Sequence, residues 1–397
     1  MGEVNRRDGL ADVVVGVTTA GIGYSVLVFE GPGGALRAEP EVFATSAAVS
    51  GLAFGQLDDD YPLDLAVAAG SELLIVHGRD RAEAAPAAVE RFTLPYAVIA
   101  LAAGDFVPEE AGYRLEAALL SDDGTVHLLN PLTAEELAQL PSTALRSAQD
   151  DRADPQSAIP LRGTQAVRNP QLVRANVSST PIDNLLLADP AGRQVQIIVP
   201  AEQVSAQTAR GDWTLAARPW SATLDVAGEP IAVLPVRLNE DALSDLVILA
   251  RAPVGLAVAL TAPMNTYVVN NTGIERDGNI YDGICDTGNE EIGFTGICTL
   301  TAAVANATQS SGADAIHFSI GSGVKTIADA PILPFSEAVT INGQTQPGFS
   351  GRPLITLVRT GLSFEGGNAV VRGLVINQAA GINLGFSKKG NNVAEGN

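Results

Sequence analysis

Apolar residues in this chain come in short runs, each preceded by an oxygen-bearing side chain and closed by a turn. Residues 55–78, GQLDDDYPLDLAVAAGSELLIVHG, show the unit most fully. The run 65–68 has the length of a buried strand, Gly70-Ser71 marks a tight break, and 73–77 reads as a second strand. Ahead of the first strand, alternate side chains of an extended loop point the same way, so Gln56, Asp58 and Asp60 converge. Asp64 closes the ring from the start of the strand. A hard cation such as Ca2+ takes about six to eight oxygens in flexible geometry, and this spacing supplies most of them. Taken singly, the same residues make an ordinary Asp-rich turn.

Repetition changes that reading. Aligned on the last polar residue before the apolar run, the pattern recurs at Asp12, Asp64, Glu116, Asn184 and Asp245, at intervals of 52, 52, 68 and 61 residues. A second apolar segment follows each anchor (25–29, 73–77, 125–129, 195–199 and 255–260), and four anchors have another before them (51–57, 98–106, 170–177 and 231–238). A self-similar unit of roughly 40–60 residues with several short strands reads as a β-propeller blade. The expected fold is all-β: a propeller of about five recognisable blades over residues 1–262, then a second domain over 263–397.

Composition fits a β-rich protein with small aliphatic cores. Hydrophobic residues make up 46% of the 397 positions and aromatics only 5%, while 40 glycines and 23 prolines punctuate many short elements. The net charge of −21, with lysine only at 325, 388 and 389, repels nucleic acid and anionic lipid and favours cation binding. No apolar run approaches the roughly 18 residues that span a bilayer, so membrane insertion is not expected in this segment. No signal peptide opens the chain, and Met1 leads almost directly into a repeat loop. That start suggests a chain beginning inside a longer architecture.

Two excursions interrupt the first half. Thr133 with Glu136, ahead of Leu137 and Leu140, has the form of a capping box opening a short helix, and residues 147–155 read as an exposed loop. Residues 201–218 contain Arg210-Gly211-Asp212, a tripeptide that chance supplies easily, with Trp213 and Trp220 nearby as packing residues.

From Asn265 onward the chain is Gly/Asn-rich and carries both cysteines, Cys285 and Cys298, thirteen positions apart. A CxxC motif is absent and His77, His127 and His317 are scattered along the sequence. Two cysteines in one loop-rich segment favour a disulfide in an oxidising compartment, with two buried thiols as the other reading. Further on, aliphatic runs at 338–341, 354–358, 370–376, 381–384 and 392–394 suit parallel strands stacked coil on coil. Asn342, Asn377 and Asn391-Asn392 stand at run ends, where asparagine tolerates left-handed backbone and stacks in ladders. The pattern stops at Asn397 after about three coils with no capping helix, as in a truncated solenoid.

Both halves resemble known families. The acidic loops ahead of strands resemble the FG-GAP (VCBS-type) repeats of integrin α-like propellers over residues 1–262. Those propellers usually have about seven blades, so incomplete closure is expected here. Carried over position by position, the resemblance implies Ca2+ ligands at Gln56, Asp58, Asp60 and Asp64 in the second blade, where Tyr61 stands at the family's glycine. It implies Asn239, Asp241 and Asp245 in the fifth, with Arg237 at the first acidic position, and Asn5, Asp8 and Asp12 in the first. The third loop, 105–116, and the fourth, with Asn176, Ser178, Thr180 and Asn184, depart from the pattern and read as decayed. The second half resembles the CSLREAI-type domain of bacterial surface proteins, where a cysteine pair precedes a short helix and a right-handed parallel β-helix. Its signature stands here as Cys298-Thr-Leu-Thr-Ala-Ala-Val304, with Thr301 and Ala303 in place of arginine and glutamate. Asn306, Gly312-Ala313-Asp314, residues 339–355 and 370–378 follow the same resemblance.

Two functions follow as expectations. The first is a non-enzymatic secreted or cell-surface module for adhesion, display or ligand binding, with structural Ca2+ and an extracellular protein or glycan partner. The second is a polysaccharide lyase or hydrolase, which needs clustered carboxylates and a base on one face of consecutive coils. Glu365, Glu395, Arg359 and Arg372 do not recur at a common sequence offset, which favours the first. Fold by itself does not decide between them.

Overall fold

A computed structural model describes residues 4, 10–19, 23–31, 39–58, 60, 62–79, 87–106, 115–129, 158–160, 170–178, 180, 182–207, 213–288, 296–379, 381, 383–386 and 392–397, with 158–160, 201–207 and 213–220 described as backbone only. Asn5, Asp8, Tyr61, the helix expected at Thr133, the loop 147–155, Arg210-Gly211-Asp212 and Asn391 lie outside the described residues, as do the side chains of Trp213 and Trp220. The chain forms two compact units, residues 1–175 with 182–234 and 248–257, and residues 176–181 with 235–247 and 258–397. The described fold is all-β apart from one α-helix and a 3-10 turn.

The first unit is a series of antiparallel meanders. Strands β1 (Val13–Thr19), β2 (Gly23–Phe29) and β3 (Glu41–Thr45) form one sheet. The second orders β4 (Val49–Gly55), β5 (Asp64–Ala69), β6 (Glu72–Val76) and β7 (Val89–Thr93). The third is β8 (Val98–Gly104), β9 (Glu116–Ser121), β10 (Thr125–Leu129) and β11 (Ala158–Pro160). The fourth is β12 (Leu172–Ala175), β13 (Asn184–Asp189), β14 (Gln194–Gln207) and β15 (Trp213–Asp225). A further sheet, whose residues are divided between the two units, orders β16 (Glu229–Val236), β17 (Asp245–Arg251) and β18 (Gly255–Ala259).

Asp64, Glu116, Asn184 and Asp245 each open the second strand of their meander, and Asp12 stands one residue before β1, the first described strand of its sheet. Strands β5, β9 and β13 are buried at all six positions. Both of their faces are covered, which is why they read as unbroken apolar runs rather than alternating ones. Leu65 and Val67 pack with Val26, Val28 and Phe43 of the first sheet. Ala66 and Ala68 pack from the opposite face with Leu101, Ala117 and Leu119 of the third. Ala118 and Leu120 then meet Leu172, Leu185 and Leu187 of the fourth. Successive sheets therefore stack face to face, and small side chains let them approach closely. A Cβ on Gly51 would lie 2.7 Å from Leu101 Cβ and 2.9 Å from its backbone nitrogen, so glycine is required there.

The excursion expected at 201–218 is instead the long hairpin of β14 and β15, paired from Gln194↔Asp225 to Gln207↔Trp213 with an irregularity between Val199 and Glu202. Alternation was too weak there to reveal it.

The second unit is built mostly on parallel pairing. A five-stranded sheet orders β19 (Thr266–Val269), β20 (Asp314–Phe318), β22 (Val339–Asn342), β25 (Val370–Arg372) and β28 (Val393–Glu395). A second joins β21 (Lys325–Ala328), β23 (Ile355–Val358) and β26 (Leu374–Asn377), and a third pairs β24 (Leu362–Phe364) with β27 (Leu384–Phe386). The run 370–376, expected as one strand, is two strands in different sheets. Gly373 makes the corner at φ +67°, a backbone angle that glycine adopts without strain. Inward Ile316, Ile341, Ile355, Leu357, Val371 and Leu374 form one core with helix α1 (Leu300–Gln309). Thr299 caps that helix by accepting from Ala302 N–H. Thr301 and Ala303 of the signature are buried in it. Phe335, Phe364 and Phe386 stack one above another at centroid spacings of 5.0 and 5.3 Å.

The asparagine ladder is corrected. Asn342 has φ −114° and pairs in register with His317 and Arg372, while Asn377 pairs with Val358. Asn342 caps the 3-10 turn that follows it, a role that uses its side-chain oxygen on Gln344 N–H. Cys285 and Cys298 form a disulfide with Cα atoms 5.1 Å apart.

Candidate metal centre and the anchor loops

Every charged anchor does the same structural work. Asp64 Oδ2 accepts from Leu57 N–H at 2.7 Å and Oδ1 from Gly78 N–H at 2.9 Å. Asp12 accepts from Val4 N–H at 2.7 Å and Gly31 N–H at 3.1 Å. Glu116 accepts from Phe106 N–H at 2.6 Å. Asp245 accepts from Leu238, Asn239 and Thr261 N–H at 2.7, 3.0 and 2.8 Å. A buried carboxylate thus buckles the loop before its strand, and Asp12, Asp64 and Asp245 also hold the chain leaving the next strand. Charge-assisted bonds of this kind are stronger than neutral ones. Burial pushes the Asp245 carboxyl up, and the amides of Thr261, Leu238 and Asn239 outweigh it and hold it below the usual range.

The residue just before an anchor makes a second recurring link, to the loop of the preceding repeat. Leu115 N–H donates to Gln56 C=O at 2.7 Å, Asp183 N–H to Asp105 C=O at 2.6 Å and Ser244 N–H to Asn176 C=O at 2.6 Å. At Asp183 the side chain adds the reciprocal bond, Oδ2 accepting from Asp105 N–H at 2.9 Å, whereas the links made by Leu115 and Ser244 are main chain and leave no trace in the sequence.

The second loop departs from the others by what it adds. Asp58 Oδ1 accepts from Asp60 N–H at 2.9 Å, and Gln56 Nε2 donates to the Asp60 carbonyl, so the glutamine presents its amide to the loop backbone. Asp58 Oδ2 lies 2.9 Å from His77 Nδ1, and Asp64 Oδ1 lies 3.5 Å from the same nitrogen. His77 follows β6 directly. Its backbone N–H is held by Ala88 C=O, which aims the ring back at the loop. On the other side Nε2 is 3.4 Å from Glu90 Oε1 of β7, an ion-pair contact without hydrogen-bond alignment. Along the sequence His77 reads as scattered; a meander of thirteen to nineteen residues brings it to the acids. One signal was available, since His77 stands immediately before Gly78, the residue that the second bond of Asp64 reaches.

The local electrostatics follow from one cation among four acids. Hydrogen bonding to Asp64 and Asp58 raises His77 to about 9 against the opposing effect of burial. Burial, then the adjoining Asp58 carboxylate, raises Asp60 to about 7. Burial also raises Glu90, opposed by His77. Among the described residues, Asp58, Asp64 and His77 are the group of three whose ligand atoms all lie within 4.8 Å of one another.

The fifth loop is filled differently. Asn239 Nδ2 donates to Asp241 Oδ2, Asp245 Oδ1 and Thr261 C=O at 2.8, 3.2 and 2.9 Å, so the NH2 of one expected ligand lies against the carboxylates of the other two. Arg237 Nε donates to Ala242 C=O at 3.3 Å, and its charge acts on the Asp241 carboxyl, lowering it against the larger effect of burial. In the fourth loop Ser178 and Thr180 hydroxyls bond each other at 2.8 Å.

One polar row in the second unit also escaped sequence reasoning. His317, Asn342, Arg372 and Glu395 are register partners on four successive parallel strands. Glu240 accepts from Asn342 Nδ2 at 2.8 Å, and Arg372 Nε lies 3.2 Å from Glu395 Oε1. Arg359 instead pairs with Asp329.

No protein-family model and no curated protein matches this chain. Among solved structures it is similar to BBS1N in complex with ARL6DN, soaked with lead, at 12% identity and a TM-score of 0.31 over 66% of this chain and 69% of that one. Kluyveromyces lactis Hsv2p aligns at 12% identity and a TM-score of 0.27, over 51% and 55%. The Chaetomium thermophilum Nup82 NTD-Nup159 TAIL-Nup145N APD complex aligns at 14% identity and a TM-score of 0.31, over 64% and 66%. No helix among the described residues is long and apolar enough to cross a membrane.

Proposed function

We propose that the chain is a non-enzymatic extracellular binding module of the FG-GAP-like and CSLREAI-like type. Its first half would be propeller blades and its second the start of a parallel β-helix. Stacked antiparallel meanders, opened at regular anchors, support the first assignment. Parallel strands from consecutive turns of chain, with a phenylalanine stack running along them, support the second. The observation that carries the functional reading is the use made of the acids. The charged anchors bind backbone amides, as a scaffold requires, rather than standing as pairs over a cleft. The disulfide fits an oxidising, extracellular setting. A divalent cation held among the oxygens of Gln56, Asp58, Asp60 and Asp64, where the sequence leads one to expect Ca2+, would tie the second loop between its strands. The experiment is incubation of the full chain with arrays of acidic and neutral glycans and surface proteins. Saturable binding without product supports the module; cleaved or unsaturated glycan lost in Arg372→Ala overturns it.

The aligned row His317–Asn342–Arg372–Glu395 favours one alternative, a polysaccharide-acting enzyme. Consecutive coils there place a base, an amide, a guanidinium and a carboxylate along one line, a pattern that sequence offsets concealed.

A further inference from the structure

We infer that the second loop is a zinc site in which the imidazole of His77 joins Asp58 and Asp64 as a ligand. This rests on the reading that the loop holds a divalent cation and names the class of that cation.

Spacing is the first argument. Tetrahedral Zn2+ with bonds of about 2.0–2.1 Å to nitrogen and oxygen sets neighbouring ligand atoms about 3.3 Å apart. His77 Nδ1 lies 2.9 Å from Asp58 Oδ2 and 3.5 Å from Asp64 Oδ1, values on either side of that edge. All three atoms fall within 4.8 Å of one another. The two edges at His77 would change by only a few tenths of an ångström to admit an ion.

The surroundings supply the second. Metal-bound imidazoles commonly turn their other ring nitrogen to a carboxylate, which fixes the tautomer and aims a lone pair at the metal. Glu90 stands 3.4 Å behind Nε2, and neither of its oxygens nor Nε2 has a hydrogen-bond partner. With Nε2 protonated toward Glu90, Nδ1 presents its lone pair between Asp58 and Asp64. Those ligands are already oriented, Asp64 by the amides of Leu57 and Gly78 and Asp58 by that of Asp60.

Ligand chemistry decides the metal. Ca2+ takes oxygen donors alone, whereas imidazole with carboxylate suits Zn2+. Three protein ligands leave a fourth position for water. The other histidines lack this setting: His127 stacks on Tyr96 at 3.9 Å, and His317 lies in the polar row of the second unit.

The test uses the full chain, stripped with chelator and dialysed. Zn2+ and Ca2+ are titrated separately by calorimetry, and Co2+ is added as a coloured probe. Zn2+ is expected to bind one equivalent. His77→Gln should abolish that binding while leaving any Ca2+ response unchanged, and Glu90→Gln should weaken Zn2+ by about 10–100-fold. Wild type with Co2+ should show visible absorption of a four- or five-coordinate site, which needs no variant to fold. Binding of Ca2+ without Zn2+ overturns the zinc assignment and leaves the cation reading standing. Binding of neither overturns both. Zn2+ binding that survives His77→Gln overturns the role of the imidazole.

Discussion

If the anchor carboxylates are buckles, Asp245→Ala should be costly out of proportion to the atoms removed. Asp245 is fully buried, with 0% exposure, and accepts three backbone N–H groups, from Leu238, Asn239 and Thr261. Alanine leaves all three without that acceptor. A hydrogen bond to a charged group contributes about 1.5–3 kcal/mol, and an orphaned buried donor costs about 1–3 kcal/mol. Leu238 is 51% exposed, so water can replace its bond, and the remaining donors are only partly buried. Discounting on that ground to about 1 kcal/mol per donor gives a loss of about 3 kcal/mol. Asp245→Asn retains one acceptor oxygen and should lose about half as much. Urea unfolding followed by circular dichroism gives the total, and native-state hydrogen exchange locates it. The Thr261 and Asn239 amides should lose protection while core amides such as Ile341 keep theirs. A loss under about 1 kcal/mol, or unchanged protection at Thr261, would refute the buckle.

Three further outcomes follow from the second unit. Reducing Cys285–Cys298, or replacing both by serine, should cost about 3 kcal/mol for a loop of this length on the chain-entropy account, read as a lower urea midpoint with a slope no shallower than that of wild type, because the unlinked unfolded chain is less compact. Phe364→Ala, which empties the centre of the phenylalanine stack at 1% exposure, should cost about 3–5 kcal/mol in the same measurement. Burial raises both Asp314 and Glu337 above the usual carboxylate range. Their folded pKa values exceed the unfolded ones, so the stability they contribute is present below the unfolded values and is lost as pH rises through the folded ones. Glu337→Gln should therefore gain stability over wild type at pH 7 and match it near pH 4, as melting temperatures across that range would show; a pH-independent difference would sink the assignment.

Much of the architecture was legible because burial on two faces leaves a plain trace. The runs 65–68 and 185–188 are strands for the same reason that they are apolar throughout, and Gly70 at φ +62° turns the chain where the break was expected. The anchors were legible too, but the backbone amides that they hold were not. An aspartate before a strand looks the same whether it faces a cation or a row of amides, and only the fold supplies Gly78 or Thr261 as its partner. Asn239 shows the consequence. Read as an oxygen ligand, it turns its NH2 inward, because an asparagine can offer either end and its neighbours here, Asp241, Asp245 and the Thr261 carbonyl, are all acceptors. His77 reverses the lesson. Sequence offers no neighbouring ligand to mark it, yet the meander returns it to Asp58 and Asp64, and the register of β6 with β7 sets Glu90 behind it. In a repeat protein the shared positions report what every sheet needs for stacking. Chemistry particular to one loop lies instead in the residue that the other repeats do not share, and the imidazole of His77 is that residue in the second meander.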